Sequence, residues 1–267
     1  VAPAVVRRGP DGPRAAAASD ARTCDDRRDA AAGPPAVADS RRRGDGMAAR
    51  LDPGALLLDL DGVVTDTARA HEAAWRATLA AHGLPFDPAA YARTRGRSRA
   101  DSLRELLADH EVPPATFEAV LAEKDAAYRA ALADLGAGDV LPGAAELVAA
   151  ARARGWPVAI ASSSRNARLV LDRLGLADRF DAVADGTAGA PKPAPDIFLA
   201  AAAAVGVDPA ACVAVDDGGA GVDAALAAGM HVVGVGPADE VGHAHLRAAT
   251  TAELDLDRIV AGLAEAG

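Results

Sequence analysis

The chain has 267 residues, 51% of them apolar and 25% charged, with a formal net charge of −10. That length fits one large or two small domains at ~150 residues each, with enough apolar content for a sizeable core. No run of ~18 apolar residues is present to span a membrane, and the acidic balance repels phosphate backbones, which argues against a nucleic-acid partner. The two cysteines, Cys24 and Cys212, support neither a disulfide framework nor a thiolate metal cage. A soluble, monomeric, cytoplasmic protein is expected.

Residues Val1 to Gly46 are mostly Ala, Arg, Pro, Asp and Gly, without periodicity. Such a stretch buries too little apolar surface to offset its ordering entropy, so 1–46 reads as a disordered extension. No apolar signal region follows Val1, and Asp20, Asp25, Asp26, Asp29 and Asp39 are foreign to a transit peptide. Met47 stands just before the first ordered-looking segment and is a candidate start of translation.

From there the organisation changes. The apolar run Ala55 to Leu60, followed by Asp61-Gly62, suits a buried parallel strand ending in a tight loop. Similar runs recur at Val158 to Ala161, Val213 to Val215 and Val232 to Val235. Helical periodicity fills the gaps at Ala144 to Arg154, Asn166 to Leu174, Ile197 to Val205 and Ala220 to Ala228. Strand alternating with helix implies an α/β fold, a Rossmann-like parallel sheet covered on both faces, with the site at the strand C-termini. The stretch from Thr67 to Asp139 breaks the alternation: it offers helices near Ala68 to His82, Arg99 to His110 and Pro114 to Leu135, and no strand. It reads as an all-helical cap (67–139) inserted into a core of 47–66 and 140–267, joined by two connections that permit hinge closure.

Four polar clusters fall at successive strand ends. Asp59 and Asp61, two apart in an extended segment, face one side, and Gly62 permits a sharp turn. Ser162-Ser163-Ser164-Arg165-Asn166 places hydroxyls at a helix start, where free N–H groups bind phosphate or a single Ser serves as an N-cap. Lys192 follows a Gly- and Pro-rich loop. Asp216 and Asp217 precede a glycine-rich turn, and further carboxylates opposite Asp59 suit a hard divalent cation, most plausibly Mg²⁺. Of 28 basic residues only Lys124 and Lys192 are lysines, a choice that matters where a compact point charge is wanted.

This set resembles the haloacid dehalogenase superfamily. The resemblance implies that Asp59 is a nucleophile taking up a phosphoryl group and Asp61 a general acid/base. It also implies that Ser162 and Lys192 hold the phosphoryl oxygens, with Mg²⁺ held by Asp59, the Asp61 carbonyl and Asp217, and Asp216 assisting. An anionic carboxylate and an anionic phosphate repel; Mg²⁺ and Lys192 offset that repulsion. Members that are true dehalogenases lack the second Asp, so Asp61 points to phosphoryl transfer.

The cap narrows the resemblance. Thr65-Asp66-Thr67-Ala68, His71, Trp75, Arg95 to Leu103, Ala122-Glu123-Lys124-Asp125 and Asp139 to Gly143 look like the β-phosphoglucomutases. These interconvert β-D-glucose 1-phosphate and glucose 6-phosphate through bound β-glucose 1,6-bisphosphate. By that likeness Arg99 grips the distal phosphate in bidentate fashion, with Ser164, Arg165 and Asn166 across the cleft. His71, Lys124 and Arg95 couple closure to acid/base readiness, and Trp75 lines the cap pocket. The carboxylates of Asp59, Asp61 and Asp217 are expected to meet around one cation beneath Arg99.

Three departures stand out: the loop Asp185 to Lys192 is about one residue short, Asp216 replaces a common Glu, and Gly218 and Gly219 leave a gap near the metal. A sugar-phosphate phosphatase, in which water resolves the aspartyl phosphate, remains the alternative; a non-catalytic module on the same fold is a third.

Overall fold

A computed structural model describes residues 54–108 and 110–266. The expectations for 1–46 and for Met47 lie outside the described residues. Strands β1 (Ala55–Leu58), β2 (Val158–Ala161), β3 (Ala182–Ala184), β4 (Cys212–Asp216), β5 (His231–Val235) and β6 (Leu246–Ala248) form one parallel sheet in the order β3-β2-β1-β4-β5-β6. The strand order reverses at β1, which lies between β2 and β4. A crevice opens at such a switch point, beyond the strand C-termini.

Alternation along the strands sorts side chains by size. Leu56 and Leu58 of β1, Val158 and Ile160 of β2, and Val213 and Val215 of β4 pack into one buried cluster. Ala55, Leu57, Ala159, Ala161, Cys212 and Ala214 face the other way, into a cluster dominated by alanine. On that small-residue face α7 (Asp196–Val205) and α8 (Gly219–Ala227), themselves alanine-rich, pack against the strands. Small facing side chains permit close approach without voids. Cys212 is a small buried side chain here, as its apolar surroundings imply. A four-residue α9 (Ala238–Val241) follows β5, and on the large-residue face lie α5 (Ala144–Ala153) and α6 (Ala167–Leu174), joined by α10 (Leu256–Ala266).

Between β1 and β2 the chain forms α1 (Ala68–Ala81), α2 (Pro88–Ala92), α3 (Arg99–Leu107) and α4 (Pro114–Ala131). Ser98 opens α3 by accepting a hydrogen bond from the Asp101 N–H, an N-cap that satisfies one free donor. Trp75, Leu79, Leu103, Leu106 and Val120 build a separate apolar cluster inside this helical cap. The cap is rooted in the larger core by Tyr128 and Leu132 at the end of α4. Helix α4 stops at Ala131, short of the expected Leu135, because the next residues tighten into a single 3₁₀ turn that buries Leu132. Helix α3 likewise ends at Leu107, before the expected His110. No described helix is long and apolar enough to cross a membrane.

Candidate active site

Each strand flanking the switch point delivers one polar cluster. The Asp59 N–H donates to the Val215 carbonyl at 2.9 Å, fixing the end of β1 against β4. Lys192, from the loop before α7, donates through Nζ to Asp59 Oδ1 and Asp216 Oδ2, each at 2.7 Å. All three side chains are buried. Despite its brevity, the loop therefore brings Lys192 to both carboxylates. Burial alone would lower the lysine pKa, but the Asp216 and Asp59 carboxylates outweigh it and hold the ammonium charged.

Asp59, Asp216 and Asp217 each present an oxygen, the three lying within 4.8 Å of one another. Burial pushes Asp59 up to about 7, against the pull of Lys192 and with Asp216 and Asp61 adding to the rise. Burial, then the charges of Asp216 and Asp59, pushes Asp217 well above the usual carboxylate range, while Arg95 opposes. Crowded buried carboxylates with an all-oxygen donor set fit a hard divalent cation such as Mg²⁺. Two glycines shape the space. A Cβ on Gly62 (φ +87°) would fall on the Asp217 carboxylate, and one on Gly221 would fall on that of Asp216. The shorter reach of Asp216 is accommodated by the Gly218 N–H, which donates to its Oδ1 at 2.9 Å.

Asp61 does not join the carboxylate cluster through its side chain, which corrects the expectation that the carboxylates of 59, 61 and 217 meet around one cation. Instead Asp61 Oδ1 accepts from the Thr67 hydroxyl, and Oδ2 lies 3.8 Å from His71 Nε2. Burial would raise the Asp61 pKa, but the neighbouring His71, aided by Thr67 and Lys124, brings it below the usual value. Tyr128 donates to the Thr67 hydroxyl at 3.3 Å. The result is a carboxylate beside Asp59, held from two directions by cap residues.

His71 is itself clamped. Lys124 Nζ lies 2.6 Å from His71 Nδ1, and the imidazole stacks on Tyr128 with centroids 3.9 Å apart. Burial, together with the charges of Lys124 and Arg99, lowers the His71 pKa against the opposing pull of Asp61. A neutral imidazole that accepts at Nδ1 carries its proton on Nε2, the nitrogen facing Asp61. Burial, then Arg99, brings Lys124 down to about 7. Trp75 is 2% exposed and packs in the cap interior, with Lys124 Nζ 5.1 Å from its ring centre. It supports Lys124 from within the cap, where the family likeness implied a substrate-binding role in the cap pocket.

Arg99 and Asn166 are brought together through a residue to which the sequence assigned no role. Asp125 Oδ1 accepts from Asn166 Nδ2 at 2.8 Å and lies 2.8 Å from Arg99 Nη1. Ser162 is buried at the end of β2, its hydroxyl accepting from the Ser164 N–H; the Ser164 hydroxyl in turn accepts from the Asn166 N–H. Arg165 is exposed beside them. Arg95 leans over Gly218, its guanidinium 3.8 Å from Asp217 and 3.1 Å from Glu240. The expected gap near the metal is thus covered by the arginine. Ser163 is no helix cap; its hydroxyl donates to the Gly96 carbonyl of the cap at 2.8 Å.

Thr67, Tyr128 and Asp125 are the residues of this site that sequence reasoning missed. Tyr128 carried a usable signal, since i, i+4 spacing from Lys124 puts both on one face of α4. Thr67 and Asp125 stand inside the motifs that carry the family likeness but had no role assigned, because their partners are fixed only by tertiary packing.

The sequence pattern of the haloacid dehalogenase-like hydrolases matches residues 53–229. A β-phosphoglucomutase of Bacillus subtilis is 38% identical over 208 residues, covering 76% of this chain and 92% of that protein. A fructose-1-phosphate phosphatase of Escherichia coli is 36% identical over 183 residues, covering 67% of this chain and 95% of that one. The crystal structure of a β-phosphoglucomutase from Clostridium difficile superposes with a TM-score of 0.76 at 32% identity, covering 80% of this chain and 98% of that one. Parallel sheet, helical cap and carboxylate cluster agree with these likenesses: the chain belongs to the haloacid dehalogenase-like hydrolase family, whose chemistry is phosphoryl transfer.

Proposed function

We propose that the chain is a β-phosphoglucomutase, interconverting β-D-glucose 1-phosphate and glucose 6-phosphate through an aspartyl phosphate on Asp59 and β-glucose 1,6-bisphosphate. The observation that carries the reading is a pair of cationic groups, Lys192 and Arg99, read as two anion-binding ends. One is built on Asp59, Lys192 and Ser162; the other is Arg99 with Asn166, whose positive charge is felt at both His71 and Lys124. A mutase needs both, one for the phosphoryl group in transfer and one for the phosphate that stays.

In the first half-reaction Asp61 takes the proton from the 6-hydroxyl of β-glucose 1-phosphate, that oxygen bonds to the phosphorus already carried on Asp59, and the Asp59 O–P bond breaks, giving the 1,6-bisphosphate. After the bisphosphate turns over, an oxygen of Asp59 bonds to the phosphorus of the 1-phosphate, the ester P–O bond breaks, and Asp61 gives its proton to the departing oxygen of glucose 6-phosphate. Lys192 stabilises charge on the transferring oxygens. His71, oriented by Lys124 and Tyr128, presents a proton to Asp61 and holds it in place. Asp59, Asp216 and Asp217 would hold Mg²⁺, which supplies charge neutralisation at the phosphoryl group.

The test supplies β-glucose 1-phosphate, a catalytic amount of the 1,6-bisphosphate and Mg²⁺, and follows glucose 6-phosphate and inorganic phosphate together. Glucose 6-phosphate is expected in near-stoichiometric yield, with the α anomer inert. Inorganic phosphate formed in its place would replace the reading with a sugar-phosphate phosphatase, the alternative favoured by the 36% identity to the fructose-1-phosphate phosphatase.

A further inference from the structure

The arginine that should receive the second phosphate already holds an anion from its own chain. Arg99 Nη1 lies 2.8 Å from Asp125 Oδ1 and donates to the Leu121 carbonyl at 3.1 Å. The same Asp125 oxygen accepts the amide of Asn166 across the cap–core boundary. Both charged side chains are about three-quarters buried, at 25% and 27% exposure, so solvent screens this pair less than one on the open surface.

We propose that Asp125 is an internal competitor for the distal phosphate. Its carboxylate satisfies Arg99 and Asn166 while the site is empty, ties cap to core through Asn166, and must turn away before a second phosphate group binds. The proposal rests on Arg99 and Asn166 forming the distal anion site. A phosphate dianion brings more charge and more acceptor oxygens than one carboxylate, so it displaces Asp125, but at a lower net affinity than a free arginine would give. An ester with no second anion leaves Asp125 where it is. Asp125 is therefore a specificity-determining residue that weakens binding only of ligands carrying a second phosphate.

Asp125→Asn removes the charge while keeping the size and a hydrogen-bonding partner for Asn166. The test measures KM and kcat for two phosphoryl donors, glucose 1,6-bisphosphate and p-nitrophenyl phosphate, in the native protein, Asp125→Asn and Arg99→Met. Donor consumption is read whichever acceptor, sugar or water, takes the phosphoryl group. In Asp125→Asn the KM for the bisphosphate is expected to fall about 3–10-fold, the size of one removed competing charge at a part-buried site. The KM for p-nitrophenyl phosphate should move less than about twofold. A merely structural role would shift both donors alike, and that result overturns the proposal, as does a bisphosphate KM that rises. A bisphosphate preference lost in Arg99→Met yet unmoved in Asp125→Asn overturns the role of Asp125 alone. Arg99→Met without effect on either donor removes the distal site, and the proposal with it. Thermal melting of both variants separates misfolding from these outcomes.

Discussion

Gly62 illustrates how much of the site depends on an atom that is not there. Its φ of +87° and the position of Asp217 leave no room for a side chain, so Gly62→Ala both strains the backbone and displaces a carboxylate of the cation site. The Mg²⁺ concentration giving half-maximal turnover should rise about 10–100-fold, the usual cost of disturbing a group that orients a metal ligand. An unchanged Mg²⁺ titration would detach Asp217 from metal binding. At this scale the sequence was readable at the strand ends and at the Gly- and Pro-rich loop before α7: Asp59, Lys192, Asp216 and Asp217 converge as expected. What could not be read was the direction of the Asp61 carboxylate. Strand alternation put it beside Asp59, but the turn at Gly62 hands it to Thr67 and His71 instead.

Helix α4 carries the cap's contribution to the chemistry, and its cost is visible in Lys124. The two lysines of the chain are both buried at the site, but their environments are opposite. Lys192 faces two carboxylates and stays charged; Lys124 sits among aromatic rings with Arg99 near, and its pKa falls from 10.5 to about 7. Between those values the unfolded chain binds a proton that the folded one does not, so stability rises with pH, by at most about 1.4 kcal/mol per unit, and is lost as pH falls toward 7. Lys124→Met should flatten this slope and gain stability at pH 7 relative to pH 9, as read by urea unfolding at both. Equal effects at the two pH values would mean that Lys124 stays charged in the folded protein across this range. The long, periodic elements were legible because apolar runs and 3.6-residue spacing dominate them. The edge strands Ala182–Ala184 and Leu246–Ala248 were not: three residues are too few for a pattern, and pairing with β2 and β5 defines them. The sequence also left α10 unassigned, although its apolar face closes the large-residue side of the sheet.

Across the whole molecule the cap is closed. Ser163 bonds to Gly96, Asn166 to Asp125, and Arg95 pairs with Glu240 and Asp217, three links between cap and core. With them in place Asp59, Ser162, Lys192 and Asp216 are all less than a tenth exposed. On the proposed mechanism substrate enters as the cap opens, and closure would keep water from a phosphorylated Asp59, the condition under which a sugar hydroxyl outcompetes it. The division into core and cap was legible because helical periodicity replaced strand runs over one continuous stretch. The links between them were not, since each joins residues far apart in the chain.

Every part of this chemistry passes through Asp59, and one measurement addresses it directly. The protein is mixed with Mg²⁺ and glucose 1,6-bisphosphate carrying radioactive phosphate, quenched with acid within milliseconds, reduced with borohydride and mapped by mass spectrometry. Acid-stable, alkali-labile label on the protein, released by borohydride as Asp59 is converted to homoserine, and absent from Asp59→Asn, is the expected result. Label on another residue, or full turnover in Asp59→Asn, would contradict it.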